Sequence, residues 1–288
     1  AAREQHRDAR GLPWLESLAR DLRDAMRLLR RGPGFAFVAI ASLALGIGAN
    51  TAVFSVFDVL VFKPLAIREP DRLVQIIPRP NRADSSYPIW EHIRDRRELF
   101  DGMCAWAQGV PLDLGLIQDR TLVPLATQWV SGDFSAVLGL HTARGRWLDM
   151  NDEQAAAAGG QKAGVISDAF WRTHFGARDD AIGSVLMTNS FPVTIVGVAS
   201  PDFLGMDVGS AFDVVLPITA APKGFLETPM FSWVSIFARL KPGQTIDAAS
   251  AAVRAIQPTI RQATLSTQLP PGVREAYLRD PMSVVSAA

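Results

Sequence analysis

The side chains able to do acid–base or nucleophilic chemistry do not stand in any pattern that such chemistry needs. His6, His92, His141 and His174 lie far apart with no ligand-like spacing, and a catalytic histidine requires a placed partner. They read as surface or satisfied core residues. Cys104 is the one cysteine of the chain, which excludes an internal disulfide and leaves no Cys/His pattern for zinc. No GxSxG, HExxH, GxxxxGK[ST] or GxGxxG motif occurs. Gly46-Ile47-Gly48 starts like the last of these but sits inside an apolar run, where glycine more naturally permits close helix approach. Asp202, Asp207 and Asp213 along one segment are the basis for a membrane-tethered hydrolase, yet loop carboxylates without a base or metal partner are ordinarily just solvated. The expectation is a chain with no catalytic residue, no cofactor and no metal.

The residues that stand out are instead small or weakly polar and embedded in hydrocarbon side chains. Ser42, Ala44, Gly46 and Gly48 form two small-xxx-small pairs, and Asn50 and Thr51 follow them. Small residues allow backbones to approach where lipid is as apolar as leucine, and hydrogen-bonding groups at that depth favour facing protein. These six are candidate helix-packing residues. A lone anchor would need none of them, so the face implies further helices.

They are carried by the run FAFVAIASLALGIGANTAVFSVF, Phe35 to Phe57, twenty-three residues without a charge. As a helix such a run reaches roughly 35 Å, enough to cross a hydrocarbon core of about 30 Å with some tilt. A buried helix of a soluble protein usually shows a polar stripe. A cleaved signal would have an apolar stretch of about 7 to 15 residues and a small-residue cleavage site, and Asp58 to Pro64 offers none. The anchor is expected to be retained. Arg20, Arg23, Arg27, Arg30 and Arg31 precede the run and only Lys63 and Arg68 soon follow it, which places the N-terminus in the cytoplasm and the bulk of the chain outside.

Ahead of the run, Trp14, Leu15, Leu18, Leu22, Met26 and Leu29 recur at helical spacing between those arginines. This is a basic amphipathic helix, either lying on the inner leaflet through Trp14 and the arginines or packed on a cytoplasmic partner. Pro13 suits its first turn, and Gly32-Pro33-Gly34 is expected to break it before the span. Over the whole chain 29 basic and 29 acidic side chains cancel, which gives no electrostatic footprint for nucleic acid.

Beyond the span the pattern mixes strands and helices. Strands are expected at Leu73–Ile77, through Leu122–Val130, at Phe212–Ile218 and at Trp233–Leu240, with a hairpin of Val185–Met187 and Val193–Val198 around Asn189-Ser190. Helices are expected at Tyr87–Leu99 with Pro88 in the first turn, after Ser131 and Asp133 with a stop at Gly139, and at Asp168–Phe175 between Ser167 and Gly176. Another begins near Asp247 behind Thr245, with Pro258 kinking or ending it. Ala155 to Gly160 reads as an exposed loop. The fold class is α+β: one N-terminal transmembrane helix preceded by an amphipathic helix, then a mixed α/β domain.

These residues together resemble a known family. The segment from Asp21 to Leu65, with Gly46-Ile47-Gly48-Ala49-Asn50-Thr51-Ala52 and Lys63-Pro64-Leu65, resembles the opening of ABC transporter permeases of the MacB type. Gln128-Trp129-Val130-Ser131-Gly132-Asp133-Phe134 with Leu138-Gly139-Leu140 and Gly145-Arg146, then Val165-Ile166-Ser167, Trp171 and Phe175-Gly176, resemble passages of the MacB-like periplasmic core domain. Gly183, Pro192, Ile195 to Val198 and Arg239 to Gly243 fall in family order, and Glu4 to Leu18 looks like the duplicated orphan permeases of that superfamily. The resemblance implies a cytoplasmic segment at 1–34, a transmembrane helix at 35–62 and a periplasmic core domain at 63–288 in two subdomains, with an inserted one at about 128–218.

It further implies a non-catalytic permease subunit of an efflux or mechanotransmission system in a bacterial inner membrane. Its partners would be a cytoplasmic ABC ATPase, the lipid bilayer, and a second permease module or a homodimer mate. Since such permeases continue into further spans, the chain reads as an N-terminal fragment or a truncated product. A single-pass receptor or tethered binding domain is the alternative that topology alone permits.

Overall fold

The computed structural model describes residues 33–57, 67–80, 82–108, 115–118, 121–206, 210–267 and 269–287. The described residues fall into two compact units, the first helix in one and everything from residue 67 onward in the other. The amphipathic segment with Trp14, the five arginines and His6, and also Asp207, lie outside the described residues.

The first unit is helix α1, Pro33–Phe57, 25 residues with no acidic or basic residue in its terminal turns. It starts at Pro33 instead of after Gly34, because proline's missing N–H is no loss in the first turn of a helix. Its described side chains, at 33–34, 37–38 and 40–51, are exposed all round. Within those described side chains no helix is long and apolar enough to cross a membrane.

The second unit is built on one mixed sheet. Its strands are β1 (Leu73–Ile77), β2 (Gly102–Gln108), β5 (Thr127–Val130), β6 (Thr142–Gly145), β7 (Lys162–Ile166), β8 (Val185–Met187), β9 (Pro192–Ala199), β10 (Val214–Pro217), β11 (Ser235–Arg239) and β12 (Ser283–Ser286). The spatial order is β12-β1-β11-β2-β5-β10-β7-β9-β6, with β8 also on β9. β5 with β10 and β7 with β9 are parallel. β3 (Gly115–Gln118) and β4 (Thr121–Pro124) form a separate antiparallel hairpin.

The two ends of this sheet come from different stretches of sequence. β12, β1, β11 and β2 belong to residues 73–108 and 235–286, whereas β5 through β6 in the spatial order all fall within 127–217. The junction is the short β2–β5 ladder, Trp106 to Gln108 against Val130 to Gln128.

Both faces of the sheet are covered. Val74, Ala105, Trp129, Ile166, Val214, Leu216, Ile236 and Ala238 pack in one cluster with α2 (Tyr87–Arg94), α5 (Asp168–Phe175) and α7 (Ile246–Ala263). Cys104, Trp106, Val130, Val165 and Val215 pack in a second with α3 (Phe134–Leu138), Trp147, Phe203 and Phe212. Side chains alternate across a strand, so one strand feeds both clusters. Burial on both sides is why β5 and β10 carry four buried residues in a row. A fully buried tryptophan such as Trp129 removes roughly 200 Å² from water, worth about 5 kcal/mol before entropy is counted.

Several local expectations hold residue by residue. Ser167 caps α5 by accepting from the Phe170 N–H at 3.1 Å, and Gly176 closes it in the left-handed region. Thr245 caps α7 by accepting from Ala248, and Gly139 ends α3 with a φ of 73°. The β8–β9 hairpin turns where Asn189 and Ser190 stand.

Others are corrected. α2 stops at Arg94, and Arg97–Leu99 is a separate 3-10 turn. Asp133 precedes α3 without a side-chain capping bond, while the Ser131 hydroxyl accepts from Ala105 of β2 instead. Ala155–Ala157 belong to α4 (Met150–Ala157), fixed by a capping box of Asp149 and Asp152. Alanine is the best helix former, and a small-residue run after a strong cap propagates the helix. Pro258 does not end α7, which runs on to Ala263. Its ring is exposed, so the carbonyl it leaves unbonded faces water, and buried Ile260, Arg261 and Thr264 hold the following turn down.

Candidate functional site

On α1 the six expected packing residues are all exposed, and a Cβ added at Gly46 or Gly48 would meet nothing within 4 Å. At about 100° per residue they do not share one face. Ser42, Gly46 and Asn50 form one stripe, and Ala44, Gly48 and Thr51 form another on the far side. The Thr51 hydroxyl is already used, donating to the Ile47 carbonyl at 2.8 Å. Such back-bonding satisfies a hydroxyl within its own helix.

In the second unit the residues of the hydrolase reading do not converge. Asp213 accepts from the Ala126 N–H at 2.8 Å and so fixes a strand connection, while Asp202 is exposed. His92 and His141 are exposed, and His174 stacks on Phe170 at 4.0 Å. No group of three metal-ligating side chains occurs among the described residues. Cys104 is buried, and that burial pushes its thiol far up, so it is inert.

The described concavity with the densest charge is a cleft of about 480 Å³. Arg68, Arg94, Arg97 and Arg239 line it with Asp101 and Asp133, over Phe100, Met103 and Val137. Four separate segments deliver the arginines. Arg68 lies on the lead-in to the domain, where its N–H donates to the Leu138 carbonyl at 2.8 Å. Arg94 ends α2, Arg97 sits in the 3-10 turn before β2, and Arg239 ends β11.

Arg239 is a joint. Its Nε and Nη2 both donate to the Val137 carbonyl at the end of α3, and its Nη1 donates to the Glu69 carbonyl at 3.0 Å. One buried guanidinium thereby ties β11, the lead-in segment and the 127–217 half together. Burial lowers its affinity for its proton, Glu69 opposes that, and nearby Arg72 and Arg68 lower it further. Arg72 makes a parallel tie, donating from Nε and Nη2 to the Leu240 carbonyl and pairing with Glu69 and Asp101.

Arg94 makes the second link between halves. It pairs at 2.9 Å with Glu153 of α4, whose other oxygen accepts from the Gly132 N–H at 2.6 Å. Burial opposes the Arg94 charge, but Tyr87, Glu153, Glu91 and Asp95 outweigh it and hold the guanidinium above its ordinary value. None of these arginines stood out in the sequence, because they are scattered over some 170 positions and only the sheet brings them together. The run Arg94-Asp95-Arg96-Arg97 was the one visible signal.

The sequence matches the MacB-like periplasmic core domain over residues 36–256. Among curated proteins none matches the chain. Of solved structures, a domain assigned to a permease protein from Porphyromonas gingivalis is similar with a TM-score of 0.54 at 16% identity, covering 76% of this chain and 92% of that one. The periplasmic region of MacB from Actinobacillus actinomycetemcomitans is similar with a TM-score of 0.52 at 10% identity, covering 77% and 91%. At those identities the two likenesses speak for the fold.

Proposed function

The chain belongs to the family of MacB-like periplasmic core domains, and from that premise we propose that it is the membrane subunit of an ABC-type efflux or mechanotransmission system. In this reading α1 crosses a bacterial inner membrane with the N-terminus in the cytoplasm. The sheet domain stands outside, and a separate cytoplasmic ATPase supplies the motion. The observation that carries the reading is an uncharged 25-residue helix placed directly ahead of the domain. A helix of that length rises about 37 Å, enough for a hydrocarbon core of about 30 Å. The two stripes of α1 would then seat two neighbouring helices, from a second permease module or a second copy, and Trp14 with Arg20, Arg23, Arg27, Arg30 and Arg31 would lie at the inner surface.

We read residues 128–218 as an inserted subdomain, on the ground that this stretch supplies one end of the sheet. Movement of the helix would reach both ends through the ties of Arg239 and Arg94. Two measurements test the reading: protease added to intact spheroplasts, and affinity purification from membranes with the surrounding gene products expressed. Cleavage of the C-terminal domain together with co-purification of an ATPase is the expected result. Protection of the domain in spheroplasts, or absence of any ATPase, overturns it.

A further inference from the structure

We propose that the arginine-lined cleft of the domain is a binding site for a phosphate-type anion, with Arg68 and Arg97 as the side chains that grip it and Asp133 as an acceptor for a hydroxyl of the ligand. The first observation is an imbalance of pairing. Arg72 holds Asp101 and Glu69, and Arg94 holds Glu153 and Glu91. Arg239 is committed to backbone carbonyls. Arg68 and Arg97 line the same cleft, are exposed, and make no ion pair among the described residues. Two guanidiniums thus face one concavity with their donors unspent, and a planar fork of N–H groups matches the oxygens of phosphate or carboxylate.

The second observation is crowding of like charge. Arg68 and Arg72 stand close enough to Arg239 to lower its hold on its proton, and an anion between such groups relieves their repulsion. The third is Asp133, which lines the cleft with no arginine within ion-pair distance among the described residues. An ionised carboxylate only accepts, so it repels a fully deprotonated anion and favours one that still carries an O–H. Phosphate near neutral pH, a phosphomonoester or a glycerol-bearing headgroup qualifies, and sulfate does not. Phe100, Met103 and Val137 supply an apolar floor without a competing donor.

The same chemistry has two sources, free phosphate and the headgroup of an anionic lipid. The full chain in phosphatidylcholine nanodiscs is titrated calorimetrically with inorganic phosphate, with sulfate and with dihexanoyl phosphatidylglycerol. Comparison variants are R68Q/R97Q, D133N, and the control R172Q/R178Q on exposed arginines of another surface. Saturable phosphate binding that falls at least tenfold in R68Q/R97Q and holds in the control is expected, with a preference for phosphate over sulfate that D133N removes. Binding of the short-chain lipid at least tenfold tighter than phosphate assigns the headgroup as the source; equal or weaker binding assigns the free anion. No saturable binding of either probe, or an equal loss in the control, overturns the site, and an unchanged preference in D133N removes Asp133 from it. The outcome is independent of topology and of any ATPase, so the permease reading can fail while this one stands.

Discussion

The Arg94–Glu153 pair joins the two ends of the sheet, and its two partners are unequally exposed. The Glu153 side chain is 3% exposed and that of Arg94 is 30%. Replacing either breaks the same contact, yet the consequences differ. Arg94→Gln leaves a carboxylate sealed from water with only the Gly132 N–H for support, and an uncompensated buried charge costs about 3–5 kcal/mol. Glu153→Gln leaves a guanidinium that water can reach, retains one acceptor and weakens two charge-assisted bonds, a cost of about 1–2 kcal/mol. With a slope of about 2–3 kcal/mol per molar urea for a domain of this size, the midpoint should fall by roughly 1.5 M for R94Q and roughly 0.6 M for E153Q. Urea unfolding of the detergent-solubilised chain followed by tryptophan fluorescence reads both. Equal losses, or a larger loss for E153Q, would refute the claim that unequal burial sets the energetics of this link.

Two further outcomes follow from geometry. Asp152 accepts two bonds from the Arg146 fork at 2.6 and 2.9 Å and one from the Asp149 N–H, and these outweigh burial and hold its carboxyl below the ordinary value. A depressed folded value means that its contribution is complete at neutral pH and is lost as acid carries the pH through that value. The stability gap between wild type and Asp152→Asn should therefore be widest at pH 7 and close towards pH 3, measured as urea midpoints; a gap that widens in acid contradicts the assignment. Gly197 has no room for a Cβ, which would lie 2.0 Å from the Arg146 carbonyl oxygen. Gly197→Ala should cost at least about 2 kcal/mol, since overpacking against backbone cannot be relieved by a rotamer change, and an unaltered melting temperature would count against it.

How much was legible in the residues differs from element to element. The α5 helix could be read to the residue because Ser167 and Gly176 are local signals, each satisfied within a turn of its own position. The β8–β9 hairpin was legible for the same reason. Pro258 misled because its effect depends on whether the freed carbonyl meets water or core, a property of the fold and not of the residue. The stretch Ala155–Gly160 misled because small side chains carry no periodicity, while the capping box that starts α4 lies several residues upstream.

The sequence by itself determined the uncharged helix, the charge asymmetry around it and the family, since each is written in contiguous residues whose physics is local: apolar length, arginine placement, caps and turns. Tertiary structure alone decided which strands are neighbours, so that Val130 lies beside Trp106 and Thr127 beside Val214. It likewise decided which of the chain's 29 basic side chains share a cleft. Strand order is set by burying both faces of the sheet at once, a condition on the whole domain. An arginine's partners are whatever that packing brings within a few ångströms, and no spacing along the chain encodes it.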